Sequence, residues 1–114
     1  MITLYGLKNC DACRKARKWL DGEGIDYRFH DVRTDGLERT RVADWVGELG
    51  HEILLNRRGT TWRGLDEATK SGVDAAKAVD LMTAHPALIK RPVFDLGVRR
   101  VIGFSDAQRD SIKA

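Results

Sequence analysis

Ile2, Thr3, Leu4 and Tyr5 form a short apolar run that alternates weakly and stops at Gly6, a pattern that predicts a strand followed by a turn. Beyond it the period changes. Ala12, Ala16, Trp19 and Leu20 recur at helical spacing until Gly22 and Gly24, so a helix is expected there with Asp11 as its cap. Tyr27, Phe29 and Val32 mark a second strand over 26–31. Strand, helix and strand in such quick succession predict a βαβ unit with a parallel pair, the connection that a helical crossover makes. From Gly36 to Gly50, Leu37, Val42, Trp45, Val46 and Leu49 keep helical spacing, with Thr34 or Asp35 available as cap. Ile53, Leu54 and Leu55 form a short apolar segment that runs into the turn-like Asn56, Arg57, Arg58 and Gly59. Thr60 to Arg63 leads into a short helix through Ala68 or Thr69, and another helix over 74–84 turns Val79, Leu81 and Met82 inward before Pro86 breaks it. Ala87 to Ile89 are apolar. Val93, Phe94 and Asp95 then face Arg100, Val101 and Ile102 around Gly97 as an antiparallel hairpin, and Ser105 caps a last helix through Ile112. Trp45 and Trp62 are expected in the core.

The order βαβ, helical block, ββ, α predicts an α/β fold, and a length of 114 residues fits one domain. At 42% hydrophobic and 32% charged residues the composition is that of a globular protein, and no apolar run approaches the ~20 residues of a membrane span. The first residues lack a basic segment and a long apolar stretch, so no export signal is read and the cytoplasm is expected. The net charge of +3 is spread along the chain. Local basic groups, Arg57, Arg58 and Arg63 and then Lys90, Arg91, Arg99 and Arg100, can meet an anion. They lack aromatic interleaving or a reading motif, so direct nucleic-acid binding is not expected.

The candidate chemistry lies in Cys10 and Cys13, the only two cysteines. They stand three positions apart, between the first strand and the first helix. In a reducing compartment such a pair is a redox couple or a metal site. A closed zinc site needs four ligands, and His30, His51 and His85 are scattered without paired spacing, so no metal is expected. None of the three histidines sits in a catalytic constellation. A Cys-x-x-Cys at a strand-to-helix junction is the sequence form of a thioredoxin-like redox site. The attacking species is the thiolate, and a helix N-terminus with cationic neighbours stabilises it; Lys8, Arg14, Lys15 and Arg17 are the candidate cations. Cys10 is the expected nucleophile. Cys13, one turn inside, resolves the mixed disulfide or simply packs as a small apolar residue.

The cysteine segment, the helical middle and the run His85, Pro86, Ala87, Leu88, Ile89, Lys90, Arg91 and Pro92 together resemble the arsenate reductase family with its Spx-type and small-reductase branches. The resemblance spans essentially the whole chain. Arg58 through Arg63, Ile89 through Pro92 and Gly103 through Asp106 look most like the YffB-like branch. This resemblance implies a single thioredoxin-like domain over 1–114 with a mixed four-stranded sheet and a helical insertion at roughly 36–86. It also implies an active cysteine in the first loop and a cis-proline, Pro92, beside it. Arg91 matches the arginine that arsenate reductases use on their oxyanion, and its guanidinium can grip an arsenate or a glutathione carboxylate in a two-point fork. Three departures stand out. Asn56 occupies the position of a second oxyanion arginine, with Arg57 and Arg58 displaced along the loop, Gly103 falls near a third, and Gly6 corresponds to a histidine. Losing most of an arginine clamp argues against arsenate, whose dehydration needs several charge-assisted donors.

The function so implied is that of a thiol-disulfide reductase with glutathione as co-substrate. Cys10 attacks a disulfide, Asn9 and Arg14 frame the loop, Arg91 and Arg58 hold the anionic peptide beside Pro92, and Cys13 or a second glutathione releases the product. Its partners are glutathione or a protein thiol or disulfide, and a monomer is expected. The alternative is a redox-sensing regulator similar to Spx, which binds the RNA polymerase alpha subunit. Against it, the chain ends soon after the last helix, without the longer extension that such regulators carry. Arsenate reduction is the third reading.

Overall fold

The structure, a computed structural model, describes residues 1–114 and divides into two compact units, residues 1–35 with 91–114 and residues 36–90. The first unit is built on a four-stranded sheet. Its strands β1 (Ile2–Gly6), β2 (Tyr27–Asp31), β3 (Val93–Asp95) and β4 (Arg100–Ile102) lie in the order β2-β1-β3-β4. β1 runs parallel to β2, with Ile2 opposite Tyr27 and Gly6 opposite Asp31, and antiparallel to β3, with Leu4 opposite Phe94. β3 and β4 form the expected hairpin.

Leu4, Ala16, Leu20, Phe94 and Val101 make the core of this unit. Full burial of each large member is worth roughly 1.5–3 kcal/mol, so the Leu4–Phe94 cross-strand pair and Leu20 above it fix the register of β1. Leu20 and Ala16 come from α1 (Asp11–Gly22), whose inner face also carries Cys13. α1 ends where Gly24 takes φ +68°, a left-handed conformation that frees the Ile25 amide to donate to Leu20 at 3.0 Å and the Gly24 amide to donate to Asp21 at 3.2 Å. The chain then enters β2 parallel to β1.

The last helix of this unit is α7 (Asp106–Lys113). Its N-cap is Ser105, whose amide donates to the Gln108 side chain at 2.9 Å, and Arg99 clamps its far end through the Ser111 carbonyl at 2.6 Å.

The second unit is helical: α2 (Arg39–Leu49), α3 (His51–Leu54), α4 (Thr60–Arg63), α5 (Glu67–Lys70), α6 (Ala75–Ala84) and a single 3-10 turn over Pro86–Leu88. Val42, Trp45 and Val46 of α2 are buried, as are Ala78, Val79, Leu81 and Met82 of α6, and Arg39 forks onto Asp80 at 2.6 Å. α2 starts later than its hydrophobic pattern suggests. Its N-cap is Glu38, because Thr34 and Asp35 are spent on a turn at the end of β2. Where Thr60 to Arg63 is expected to lead into a short helix through Ala68 or Thr69, there are two short turns, since Asp66 caps α5 by accepting from the Thr69 amide at 2.7 Å. Asp74 caps α6 in the same way, at 2.9 Å from the Lys77 amide. Trp62 is half-buried rather than core, with the Arg57 guanidinium 5.3 Å from its ring. Of the 53–55 segment only Leu54 and Leu55 are buried, and Leu55 pairs antiparallel with Ile89.

The βαβ and ββα halves on one mixed sheet make the fold thioredoxin-like, as the resemblance implied. No helix is long and apolar enough to cross a membrane.

Candidate active site at the first helix

β1 delivers the chain into a tight turn, Leu7 to Cys10, closed by the Cys10 amide donating to the Leu7 carbonyl at 3.3 Å. Cys10 has extended dihedrals, φ −96° and ψ 124°, and its carbonyl accepts the first helical bond, from the Arg14 amide at 2.9 Å. The cap of α1 is therefore Cys10 itself. Asp11, expected there, is the first helical residue, where its charge complements the helix dipole and holds the Arg14 guanidinium at 2.8 Å. Arg14 also reaches back to the Asn9 carbonyl at 3.5 Å, so these two residues brace the loop through a side chain and a backbone oxygen.

Both cysteines are free thiols, and their surroundings differ sharply. Cys10 is half-buried, Cys13 fully buried. Burial by itself raises the Cys10 pKa, but the Cys13 amide and the Arg91 guanidinium favour the thiolate, and the balance leaves Cys10 below an ordinary thiol. The neutral thiol makes no capping hydrogen bond; the amide at that helix end is available to the anion. Cys13 is pushed up to about 12, chiefly by burial, against the Leu7 amide, with its neighbour Cys10 adding to the rise. One sulfur is thus prepared to ionise and the other to stay protonated.

Arg91 and Pro92 enter from the start of β3, and their peptide bond is cis. The Arg91 side chain hydrogen-bonds the Cys10 sulfur, and Pro92 is buried. The cation that acts on Cys10 is therefore not one of those nearest in sequence. Arg14 is occupied by Asp11, while Arg17 lies 4.3 Å over the Phe29 ring and reaches the Tyr27 hydroxyl at 3.3 Å. Arg58 belongs to the second unit, in an exposed turn where its amide donates to Asn56 at 3.0 Å and its carbonyl accepts from Arg63 at 2.9 Å.

Two residues of the site have no signal in the cysteine motif. Gly6 closes β1 directly beneath Cys13: a Cβ there would overlap the Cys13 sulfur and lie 3.2 Å from its Cβ. The departure from histidine at this position thus coincides with a sulfur that fills the space. Asp31, at the end of β2, accepts the Lys8 amide at 3.0 Å and the Arg33 and Thr34 amides at 2.9 Å. Burial raises its pKa, but these bonds outweigh it and hold the carboxyl below its usual range. Asp31 followed by Arg33, Thr34, Asp35 and Gly36 is a turn signature that points to it. The structure brings together no group of three or more His, Cys, Asp or Glu side chains able to hold a metal ion.

The model of the ArsC family matches residues 5–112. Among solved structures, the YFFB protein is 46% identical with a TM-score of 0.95 and full coverage of both chains. An arsenate reductase (ArsC) related protein from Brucella melitensis is 45% identical over 96% of this chain and 92% of its own, with a TM-score of 0.79. The global transcriptional regulator Spx of Streptococcus pyogenes is 30% identical over all of this chain and 84% of its own. With a match that runs from the end of β1 to the last turn of α7, the chain belongs to the ArsC family.

Proposed function

We propose that the protein is a thiol-disulfide reductase that uses glutathione as co-substrate and Cys10 as nucleophile. The observation that carries this reading is the asymmetry of the pair: a half-buried Cys10 whose thiolate is favoured by a helix-end amide and Arg91, beside a buried Cys13 pushed up to about 12. In the first step the Cys10 thiolate attacks the glutathione sulfur of a mixed disulfide. A Cys10–glutathione disulfide forms, the old S–S bond breaks, and the substrate leaves as a thiolate that takes a proton from water. In the second step a glutathione thiolate attacks that disulfide, so that oxidised glutathione leaves and the Cys10 thiolate is restored. The net exchange consumes one glutathione thiol. The substrate sulfur is reduced from disulfide to thiol while the entering glutathione sulfur passes into oxidised glutathione, and the proton it gives up balances the one the substrate takes. Arg91 holds a glutathione carboxylate during both steps, with Asn9 and Arg14 keeping the loop in place.

Release by external glutathione follows from the state of Cys13. The Cys13 thiol is pushed up to about 12, chiefly by burial, and its sulfur is enclosed, so it is a poor attacking group at neutral pH. The absence of a fuller arginine clamp, with Asn56, Gly103 and Gly6 at the positions concerned, weighs against arsenate as substrate.

The test couples glutathione, glutathione reductase and NADPH to a small glutathione mixed disulfide and, separately, to arsenate. Turnover of the disulfide is expected in the wild type and in Cys13→Ser, and none in Cys10→Ser. Turnover that survives Cys10→Ser overturns the reading. A second reading, a redox-responsive regulator acting through RNA polymerase alpha, is favoured by the 30% identity with the Spx regulator across this whole chain. It predicts specific capture of that subunit, changed by oxidation of the Cys10–Cys13 pair, and no Cys10-dependent turnover.

A further inference from the structure

Asp31 is the one charged residue buried in the protein, at 4% exposure. Enclosing a carboxylate is costly unless donors meet both oxygens, and here they do. Oδ1 accepts the Arg33 and Thr34 amides, each at 2.9 Å, which is a local turn that any side-chain carbonyl can make. Oδ2 does something else. It accepts the Lys8 amide at 3.0 Å, from a loop 23 positions earlier in the chain. An asparagine would serve the local turn equally well but would present an NH2 group to the Lys8 N–H, donor against donor. The second acceptor oxygen of an aspartate is therefore what the Lys8 amide requires, while the Thr34 side chain also donates to this carboxylate.

Lys8 is the second residue of the turn that ends at Cys10. That turn is weakly closed on its own account, since its internal bond from the Cys10 amide to Leu7 is long, at 3.3 Å. The neighbouring bond from the Val32 amide to the Gly6 carbonyl, at 3.0 Å, brings β2 alongside the loop entrance. We propose that Asp31 is a positioning residue for Cys10: by holding the Lys8 amide, its carboxylate fixes the Leu7–Cys10 turn and so sets the sulfur at the helix end facing Arg91. The assignment rests on Cys10 being the reacting thiol, and Asp31 touches no substrate.

The test compares Asp31→Asn with Asp35→Ala. Asp35 accepts the Asp31 amide at 3.0 Å and supports the same β2 turn without touching Lys8. The alkylation rate of Cys10 is measured against pH for each variant, alongside hydrogen exchange of the Lys8 amide. Loss of a negative charge alone would favour the Cys10 thiolate, whereas loss of positioning disfavours it, so the sign separates the two causes. Asp31→Asn is expected to raise the Cys10 pKa by about half a unit or more, a slowing of about threefold below neutral pH, and to release the Lys8 amide to exchange. Asp35→Ala is expected to change neither. An unchanged or lowered Cys10 pKa in Asp31→Asn, or an equal rise in Asp35→Ala, overturns the assignment. Should Asp31→Asn not fold, a Lys8 amide in the wild type that exchanges as freely as the exposed Asn9 amide overturns it as well. A wild-type Cys10 that titrates as an ordinary thiol speaks against the proposed reductase, while Lys8 exchange still decides the role of Asp31.

Discussion

Substituting Gly6 by alanine puts one methyl group into the space of the Cys13 sulfur. Its Cβ would overlap that sulfur, stand 3.2 Å from the Cys13 Cβ and reach the Phe29 ring at 3.7 Å. Neither backbone can retreat easily, because Gly6 is paired with Asp31 in the sheet and Cys13 is in the first turn of α1. Overfilling a packed site by one carbon costs about 1–3 kcal/mol. Reduced freedom of the unfolded chain returns about 0.4–1 kcal/mol where the backbone tolerates alanine, as this residue without positive φ does. A net loss of about 1–2 kcal/mol is expected for Gly6→Ala. Cys13→Ala removes the obstructing sulfur at a cost of about 1 kcal/mol in lost packing. In the double variant the new methyl occupies the vacated space, so the two losses should fall short of additivity by about 1 kcal/mol or more. Urea unfolding of the four proteins measures this cycle. A Gly6→Ala protein as stable as the wild type, or a cycle additive within about 0.3 kcal/mol, would refute the close packing of β1 on Cys13.

Other expectations concern charge and exposure. Arg17→Ala should cost roughly 0.5–1 kcal/mol through loss of the Phe29 stacking, while the pH profile of Cys10 alkylation stays in place; a shifted profile would return Arg17 to the set of cations acting on the thiolate. Native protein treated with iodoacetamide at pH 9 should carry label on Cys10 alone by peptide mass spectrometry, since Cys13 is buried and protonated well above that pH, and comparable labelling of both would contradict its enclosure. Asp31 has a folded pKa below its unfolded value, so the stability it confers is complete above the unfolded value of ~3.9 and is lost as pH falls from there through the folded value. Asp31→Asn should flatten that acid limb in urea unfolding followed against pH, and an unchanged limb would count against it.

The elements governed by local pattern were legible in the sequence. β1, α1, β2, α6, the β3–β4 hairpin and the Ser105-capped last helix all announce themselves through period and turn residues. Misreadings arose where a polar side chain had two possible uses. Thr34 and Asp35 can cap a helix, but the buried Asp31 turn takes them, and Asp66 caps a separate turn where one short helix is expected. Trp62 looks apolar in sequence, yet its ring is half open and covered by Arg57. The place of Cys10 at the strand-to-helix junction was legible; its electrostatics were not. Arg14 and Arg17 are near Cys10 in sequence but are spent on Asp11 and Phe29, whereas Arg91 arrives from the far end of the chain through β3. That pairing is a product of the sheet order, which no local period encodes, and only the resemblance pointed to Arg91 and Pro92.

The reductase reading stands on an ionised Cys10 stabilised across the fold by Arg91, and the pH dependence of its alkylation rate is the most direct test. In the wild type the rate should rise to half its plateau below the ~8.5 of an unperturbed thiol, and Arg91→Ala should move that midpoint upward toward it. A wild-type midpoint at ~8.5 that Arg91→Ala leaves in place would contradict it.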